Sequence, residues 1–295
     1  MKLTIGMSCY DDFDGVWFTI QSICLYHPEV LNDVRFIVVD GNSDSDHGKE
    51  VERLIARLRN KHGQCGLYVK NVSWASTASR DYVFQYAETP YVLCVDSHVM
   101  IAPGAIQKLI EHYDKNPTSK DLIQGPLMDD SGNIMATSMS PEWSYNMYGK
   151  WKFEPEKLKT QQSYNIEMMG LGLFSCTKEH WQGFNRGFTG FGGEEGYIHH
   201  KFRKNGGNTI CFPWLKWLHR FPRPAGTRYR NEYIDRINNY FIGWHELGLD
   251  TQEIVDYFSS PNELDGQQRE AISIEKLQLL DKKWSIEQQL NDINK

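Results

Sequence analysis

Apolar and polar positions fall into a repeating strand and helix rhythm from the first residues onward. Leu3 to Ser8 is an apolar run that ends in the acidic loop Tyr10-Asp11-Asp12, and Val16 to Tyr26 then spaces its apolar residues like an amphipathic helix. The pattern returns: Arg35 to Val39 is rich in β-branched residues and stops at Asp40-Gly41-Asn42-Ser43, after which Val51, Leu54, Ile55 and Leu58 share one helical face. A third strand near Leu67 to Val72 precedes a helix from about Ser76 to Ala87. A fourth, Tyr91 to Val95, runs into Asp96-Ser97-His98, and Pro103 opens a helix through Tyr113, proline being suited to a first turn. Strands alternating with helices predict an α/β fold with a mainly parallel sheet covered on both faces. Such sheets bind ligands beyond the carboxyl ends of their strands, which directs attention to the residues after Ser8, Val39 and Val95.

From Asp121 the rhythm changes. A strand at Leu122 to Gly125 leads into Met128 to Tyr164, a stretch rich in Met, Ser, Trp and Tyr without clear period, the character of a lid or acceptor loop. Regular structure resumes with Met168 to Cys176, a helix near Lys178 to Gly183, the glycine-rich Gly187 to Gly196, a helix from about Glu195 to Lys204 and a strand at Thr209 to Phe212. Beyond Pro224 the sequence is helical in character, so the chain is expected to divide into residues 1–224 and a helical C-terminal extension, 225–295.

Composition narrows the class without choosing a function. The 295 residues are 40% hydrophobic and 24% charged, which fits a globular protein with a sizeable core and excludes disordered, collagen-like and coiled-coil classes. The 9 Trp and 15 Tyr either fill that core or line a pocket for flat ligands and sugars. The formal charge of −6 supplies no global attraction to a polyanion. Residues 226–295 carry 8 basic and 13 acidic side chains, so that segment holds −5 of the −6 and the rest is nearly neutral. No run of about eighteen apolar residues occurs, and Asp11, Asp12 and Asp14 come too early for a secretion signal, so the expectation is a soluble, cytoplasmic protein with no membrane span. The 6 cysteines are scattered and read as reduced thiols.

Candidate chemistry gathers at the strand ends. In an extended turn Asp96 and His98 face one ion, and carboxylate oxygen with imidazole nitrogen suits Mn²⁺ or a similar divalent cation. The place of this pair after a central strand lifts it above a chance D-x-H. Asp40 suits a base N–H or a ribose hydroxyl, and equally suits a turn or helix cap. Tyr10 beside Asp11 and Asp12 offers a nucleobase platform or simply a solvated loop. Arg80 either reaches a phosphate or is an ordinary surface arginine. Phe188 to Glu195 combines glycines, which allow close backbone approach, with Glu194 and Glu195 at a helix start, as base, sugar ligand or dipole cap. Trp214, Trp217 and His219 follow a strand, and Arg220, Arg223, Arg228 and Arg230 form a basic cluster able to hold a diphosphate.

In order, these segments resemble glycosyltransferases of the GT-A fold. Ile5 to Asp12 and Val38 to Asp44 look like a family-two style nucleotide-binding half. Asp96-Ser97-His98, then Pro103-Gly104, resembles the metal segment of polypeptide N-acetylgalactosaminyltransferases, and Met169 to Ser175 resembles their Ala-Gly-Gly-Leu-Phe segment. Gly192-Gly193-Glu194-Glu195 is similar to their Gly-Gly-Glu and to the Gly-Gly-Glu-Asp of β-1,4-galactosyltransferases, and Leu218-His219-Arg220-Phe221 sits where these families place a third metal ligand.

The resemblance implies a GT-A (Rossmann-like) catalytic domain over 1–224, with 1–120 as nucleotide-binding half and 121–224 as acceptor and sugar half. It implies a UDP-sugar donor, with Tyr10, Asp12, Asp40, Arg80, Asp96 and Ser97 at the nucleotide and Mn²⁺ (or Mg²⁺) on Asp96, His98 and His219. Trp181, Phe191, Gly192 and Gly193 would wall the sugar, Glu194 would bind its hydroxyls, and Glu195 stands where the galactosyltransferases place their base. The chain departs from the first family in having Glu195 for Asn, and from the second in Asp96-Ser97-His98 for Asp-x-Asp, so retention and inversion both stay open. A glycan, protein, lipid-linked sugar or DNA with hydroxymethylated bases is the expected acceptor, and a bacterial or viral origin fits best. The rivals are a sugar nucleotidyltransferase, disfavoured by the acidic loop at Ser8 to Gly15, and a non-catalytic carbohydrate-binding protein, disfavoured by the metal set.

Overall fold

The computed structural model describes residues 1–71, 76–222, 226–264, 267–269 and 271–293. Its centre is an eight-stranded sheet in the order Tyr164–Asn165, Thr209–Cys211, Leu122–Gln124, Leu173–Thr177, Tyr91–Asp96, Leu3–Cys9, Val34–Asp40, Gly66–Lys70. Leu173–Thr177 runs antiparallel to both neighbours and Tyr164–Asn165 antiparallel to Thr209–Cys211, while the remaining pairings are parallel. The expected mixed, mainly parallel α/β sheet is therefore present.

Side chains leave a strand alternately on its two faces, and the central strands use both. Phe36, Val38, Leu93 and Val95 enter the core beneath the helices Phe13–Tyr26 and Ala105–Lys115. Their neighbours Ile37, Val39, Val92 and Cys94 enter a second core with Phe84, Phe174 and Phe202. Continuous apolar runs are what a sheet buried on both faces demands. The register then sets the site: Ser8 stands opposite Asp96 and Cys9 opposite Asp40, so the loops after three strands open at one edge. A second sheet, in the order Ile134–Ala136, Leu127–Met128, Trp217–His219, Val99–Ile101, pairs His219 with Val99 and so brings a distant imidazole beside His98.

Several local expectations change. The Met128 to Tyr164 stretch contains a β-hairpin, Ser138–Ser144 with Met147–Lys152, and a short helix, Pro155–Thr160. Tyr145 and Asn146 both take positive φ, 48° and 61°, the backbone of a two-residue hairpin turn, and a register shift between Ser140 and Trp143 hides the alternation. The Ser76 to Ala87 helix is a 3-10 turn, Thr77–Arg80, followed by Asp81–Tyr86, and the helix near Lys178 shrinks to a 3-10 turn, Lys178–His180. His219 ends a strand of its own rather than following one.

The C-terminal segment forms the helices Tyr233–Leu247, Gln252–Ser259 and Ile274–Ile293, built around a third apolar cluster that includes Phe241, Trp244 and Phe258. The first of these helices packs directly on the glycine segment. Asn239 Nδ2 donates to the carbonyls of Thr189 and Gly192, each at 2.8 Å, and its Oδ1 accepts from Thr189 N at 3.0 Å. Among the described residues no helix is long and apolar enough to cross a membrane.

Candidate active site

A cleft of about 410 Å³ opens at the carboxyl edge of the sheet, a size suited to a small ligand. Tyr10, Asp12, Arg80, Asp96, Ser97 and His98 line it, as do Gly190 and Phe191 on the opposite wall. The residues singled out after Ser8 and Val95 thus meet.

Asp96 and His98 line the cleft, and their donor atoms and that of His219, which does not line it, all lie within 4.8 Å of one another. His98 Nε2 is 3.0 Å from His219 Nε2, which is 3.3 Å from Asp96 Oδ2. Two nitrogens each about 2.1 Å from one ion, at right angles, stand about 3 Å apart, so the spacing fits a shared cation. The donor set of one carboxylate and two imidazoles suits Mn²⁺ or another divalent ion of that type.

Neighbouring groups fix these ligands. Asp12 Oδ2 accepts from Ser97 Oγ at 2.6 Å and lies 3.0 Å from His98 Nδ1, while its Oδ1 caps the helix Phe13–Tyr26 by accepting from Gly15 N at 3.2 Å. With Nδ1–H given to Asp12, His98 presents the lone pair of Nε2 to the cluster. Burial works to raise the Asp12 pKa, but the bonds from His98 and Ser97 outweigh it and hold the carboxyl down at about 2. Asp12 and Ser97, expected at the nucleotide, therefore also orient His98.

Arg80 is neither a surface arginine nor, in this structure, directed outward. It is 6% exposed, donates from Nη2 to Asp96 Oδ1 at 2.6 Å, and places Nη1 3.8 Å from Glu194 Oε1. Burial opposes ionisation of Asp96, yet the Arg80 guanidinium and then His219 hold its carboxyl well below the usual range. One guanidinium thus sits between the Asp96 carboxylate and the helix-start glutamate. Glu194 Oε1 also accepts from Thr77 Oγ1, while its buried Oε2 has no hydrogen bond among the described residues. Burial, and then the adjacent Glu194, push the Glu195 carboxyl up.

The glycines before that helix need to be glycines. Gly192 and Gly193 have φ of 96° and 95°, and a Cβ on them would lie 2.7 Å from Arg236 Nε and 2.9 Å from Asn239 Cβ. Phe191 stands between this turn and the cleft, with the Arg236 guanidinium 5.6 Å from its ring centre.

Of the residues expected at the site, Asp40, Trp181, Gly192, Gly193, Glu194, Glu195 and His219 do not line this cleft. Trp181 stacks on Phe84 at 4.0 Å and 5°, and donates from Nε1 to Asp81 Oδ1 at 2.8 Å, so the ring belongs to the second core rather than to a sugar wall. Asp40 is buried, accepting from Asn42 N and from Tyr68 OH, both at 2.8 Å; burial raises its pKa. It braces the turn at Gly41, which does line the cleft. Of the basic cluster, Arg220, Arg228 and Arg230 reach the rim and Arg223 lies outside the described residues. Arg228 donates to Asp11 O at 3.0 Å and contacts His47, and Arg230 grips both oxygens of Asp235.

The reading by sequence missed Thr77, Asn239 and Arg236. Nothing marks Thr77 beforehand, and the other two sit in a helix that carries no motif. Comparison with known proteins agrees with the geometry. Residues 4–181 match the model of glycosyl transferase family 2. No curated relative matches the sequence. Among solved structures, GalNAc-T7 with UDP, GalNAc and Mn²⁺ superposes with a TM-score of 0.66 at 16% identity, covering 99% of this chain and 57% of that one. TarS of S. aureus, residues 1–349, superposes at 0.54 with 11% identity, covering 96% and 70%, and its complex with UDP-GlcNAc at 0.53 with 12% identity, covering 96% and 71%. At such identities the structural likeness speaks for the GT-A fold, and this chain spans little more than half of GalNAc-T7. With the sequence match over most of its length, the chain belongs to glycosyl transferase family 2.

Proposed function

We propose that this chain moves a hexose or N-acetylhexosamine from a UDP-sugar to a hydroxyl acceptor, with Mn²⁺ held by Asp96, His98 and His219. The observation that carries the reading is the convergence of these three donors, two of which line the cleft, with Asp12 and Arg80 already fixing the outer atoms of His98 and Asp96. The UDP and Mn²⁺ of the GalNAc-T7 structure, and the UDP-GlcNAc of TarS, support the donor class.

The ion would supply a Lewis acid that neutralises the diphosphate as it leaves. Tyr10 and the loop to Asp12 line the nucleoside end of the cleft, and Arg220 and Arg228 at the rim are placed to share the phosphate charge. Phe191 lines the cleft and would wall the sugar, with Gly192 and Gly193 in the turn behind it. Glu194 Oε2, buried with no hydrogen bond among the described residues, is available to accept from a sugar hydroxyl. The raised proton affinity of Glu195 suits it to take the proton of the attacking acceptor hydroxyl. The acceptor is a glycan, protein or lipid-linked sugar, or a hydroxymethylated base in DNA; each offers the hydroxyl this chemistry needs.

Calorimetric titration of UDP into the protein with Mn²⁺, then with excess EDTA, tests the reading. Binding that requires the metal and disappears in Asp96→Asn is expected. Equal UDP binding in EDTA, or none in either condition, refutes it.

A further inference from the structure

The helix Ile274–Ile293 is apolar on two faces. Its inner face is committed to the protein: Leu277 is fully buried, Leu280 and Trp284 pack on the third core cluster, and Trp284 Nε1 donates to Asn238 Oδ1 at 2.8 Å. Asp281 on the same side meets His245 at 2.8 Å. The outer face nevertheless carries Leu279, Ile286, Leu290 and Ile293, which are 68%, 47%, 52% and 78% exposed. Their spacings of seven, four and three residues are those of a coiled-coil seam. At about 100° per residue all four fall within an arc of about 60°. A single exposed leucine asks for no explanation, whereas a continuous seam on a helix already anchored by its other face does.

The charges beside the seam indicate what covers it. Lys283 and Glu287 border one edge, and Lys282 and Gln289 the other, all exposed. When two copies of the helix pair antiparallel about an axis at the height of Ser285, like edges meet, and Glu287 of each comes opposite Lys283 of the other. Parallel pairing instead sets Lys282 of one copy against Lys283 of the other at the same height. The seam is self-complementary in the antiparallel sense alone. A bilayer fits less well, because Glu287 borders the stripe and the net charge of −6 repels anionic lipid.

We propose that this face binds a second copy of the same chain, giving a two-fold dimer through antiparallel Ile274–Ile293 helices. The seam is short, so the association is concentration-dependent rather than obligate. Sedimentation velocity on the full chain from about 1 to about 200 µM tests it, with the mass rising from 34.3 kDa towards twice that value. Leu279→Lys/Leu290→Lys should stay monomeric throughout, with circular dichroism and thermal midpoint unchanged because both positions are exposed. Lys283→Glu should weaken association about tenfold, and Lys283→Glu/Glu287→Lys should restore it. A wild-type chain that stays at 34.3 kDa throughout overturns the proposal. So does a dimer that survives in Leu279→Lys/Leu290→Lys, and so does binding to phosphatidylglycerol vesicles without self-association.

Discussion

Replacing Arg80 by Met removes the one guanidinium placed between Asp96 and Glu194 and keeps a side chain of similar length and apolar stem. Arg80 is nine-tenths buried, so the change leaves the Asp96 and Glu194 carboxylates without the cation between them. Breaking a buried pair by removing one partner costs about 3–5 kcal/mol. The Asp96 side chain keeps 23% exposure and the Glu194 contact is 3.8 Å, so the lower end, about 3 kcal/mol, is expected. With 295 residues the entropy of unfolding is about 0.6 kcal/mol/K, and that loss corresponds to about 5 °C in the midpoint. Urea unfolding followed by tryptophan fluorescence in EDTA measures it directly. The double variant Arg80→Met/Asp96→Asn should regain about half of the loss, since the orphaned charge is then gone. A single-variant cost under about 1 kcal/mol, or a double variant no more stable than the single, would refute the claim that Arg80 balances buried carboxylates.

Asp12→Asn keeps an oxygen able to cap the helix Phe13–Tyr26 but gives up the charge facing His98, so Mn²⁺ affinity by calorimetry should fall about 10–100-fold. Unchanged affinity would show that Asp12 does not orient the ligand. Glu246 is pushed up by burial and pulled down more strongly by Lys201, Asn185 and Tyr197, so its folded pKa lies below the unfolded value. Its stabilisation is therefore present above the unfolded pKa and lost as pH falls through the folded one. Glu246→Gln should flatten the acid limb of stability against pH below about 4.5, and an unaltered limb would contradict this.

What the sequence reveals here depends on how local the cause is. Asp96 and His98 are legible because an apolar run ends just before them and the strand ends in a sheet of this type are where ligands sit. The alternation of Phe36 to Val39 between two cores needs only neighbouring residues. Arg80 is different: its partners lie 16 and 114 positions away, and nothing near it in sequence says that it is buried. Trp181 misleads for the same reason, since an indole reads equally as a sugar platform or as a core ring until Phe84 and Asp81 are brought to it. The Ser138–Lys152 hairpin escapes notice because the slip between Ser140 and Trp143 breaks the period of two.

The pairing of His219 with Val99 sets the order of events during synthesis. Two of the three donors of the proposed metal site, Asp96 and His98, leave the ribosome early, while His219 follows 121 positions after His98, a delay of about 6–24 s at ordinary elongation speeds. Until then the nascent chain offers Asp96 and His98 alone, a weak grip on any cation. Loading of the proposed site would thus be a late step that reports a finished fold, and a chain truncated before His219 emerges would have little hold on a divalent cation.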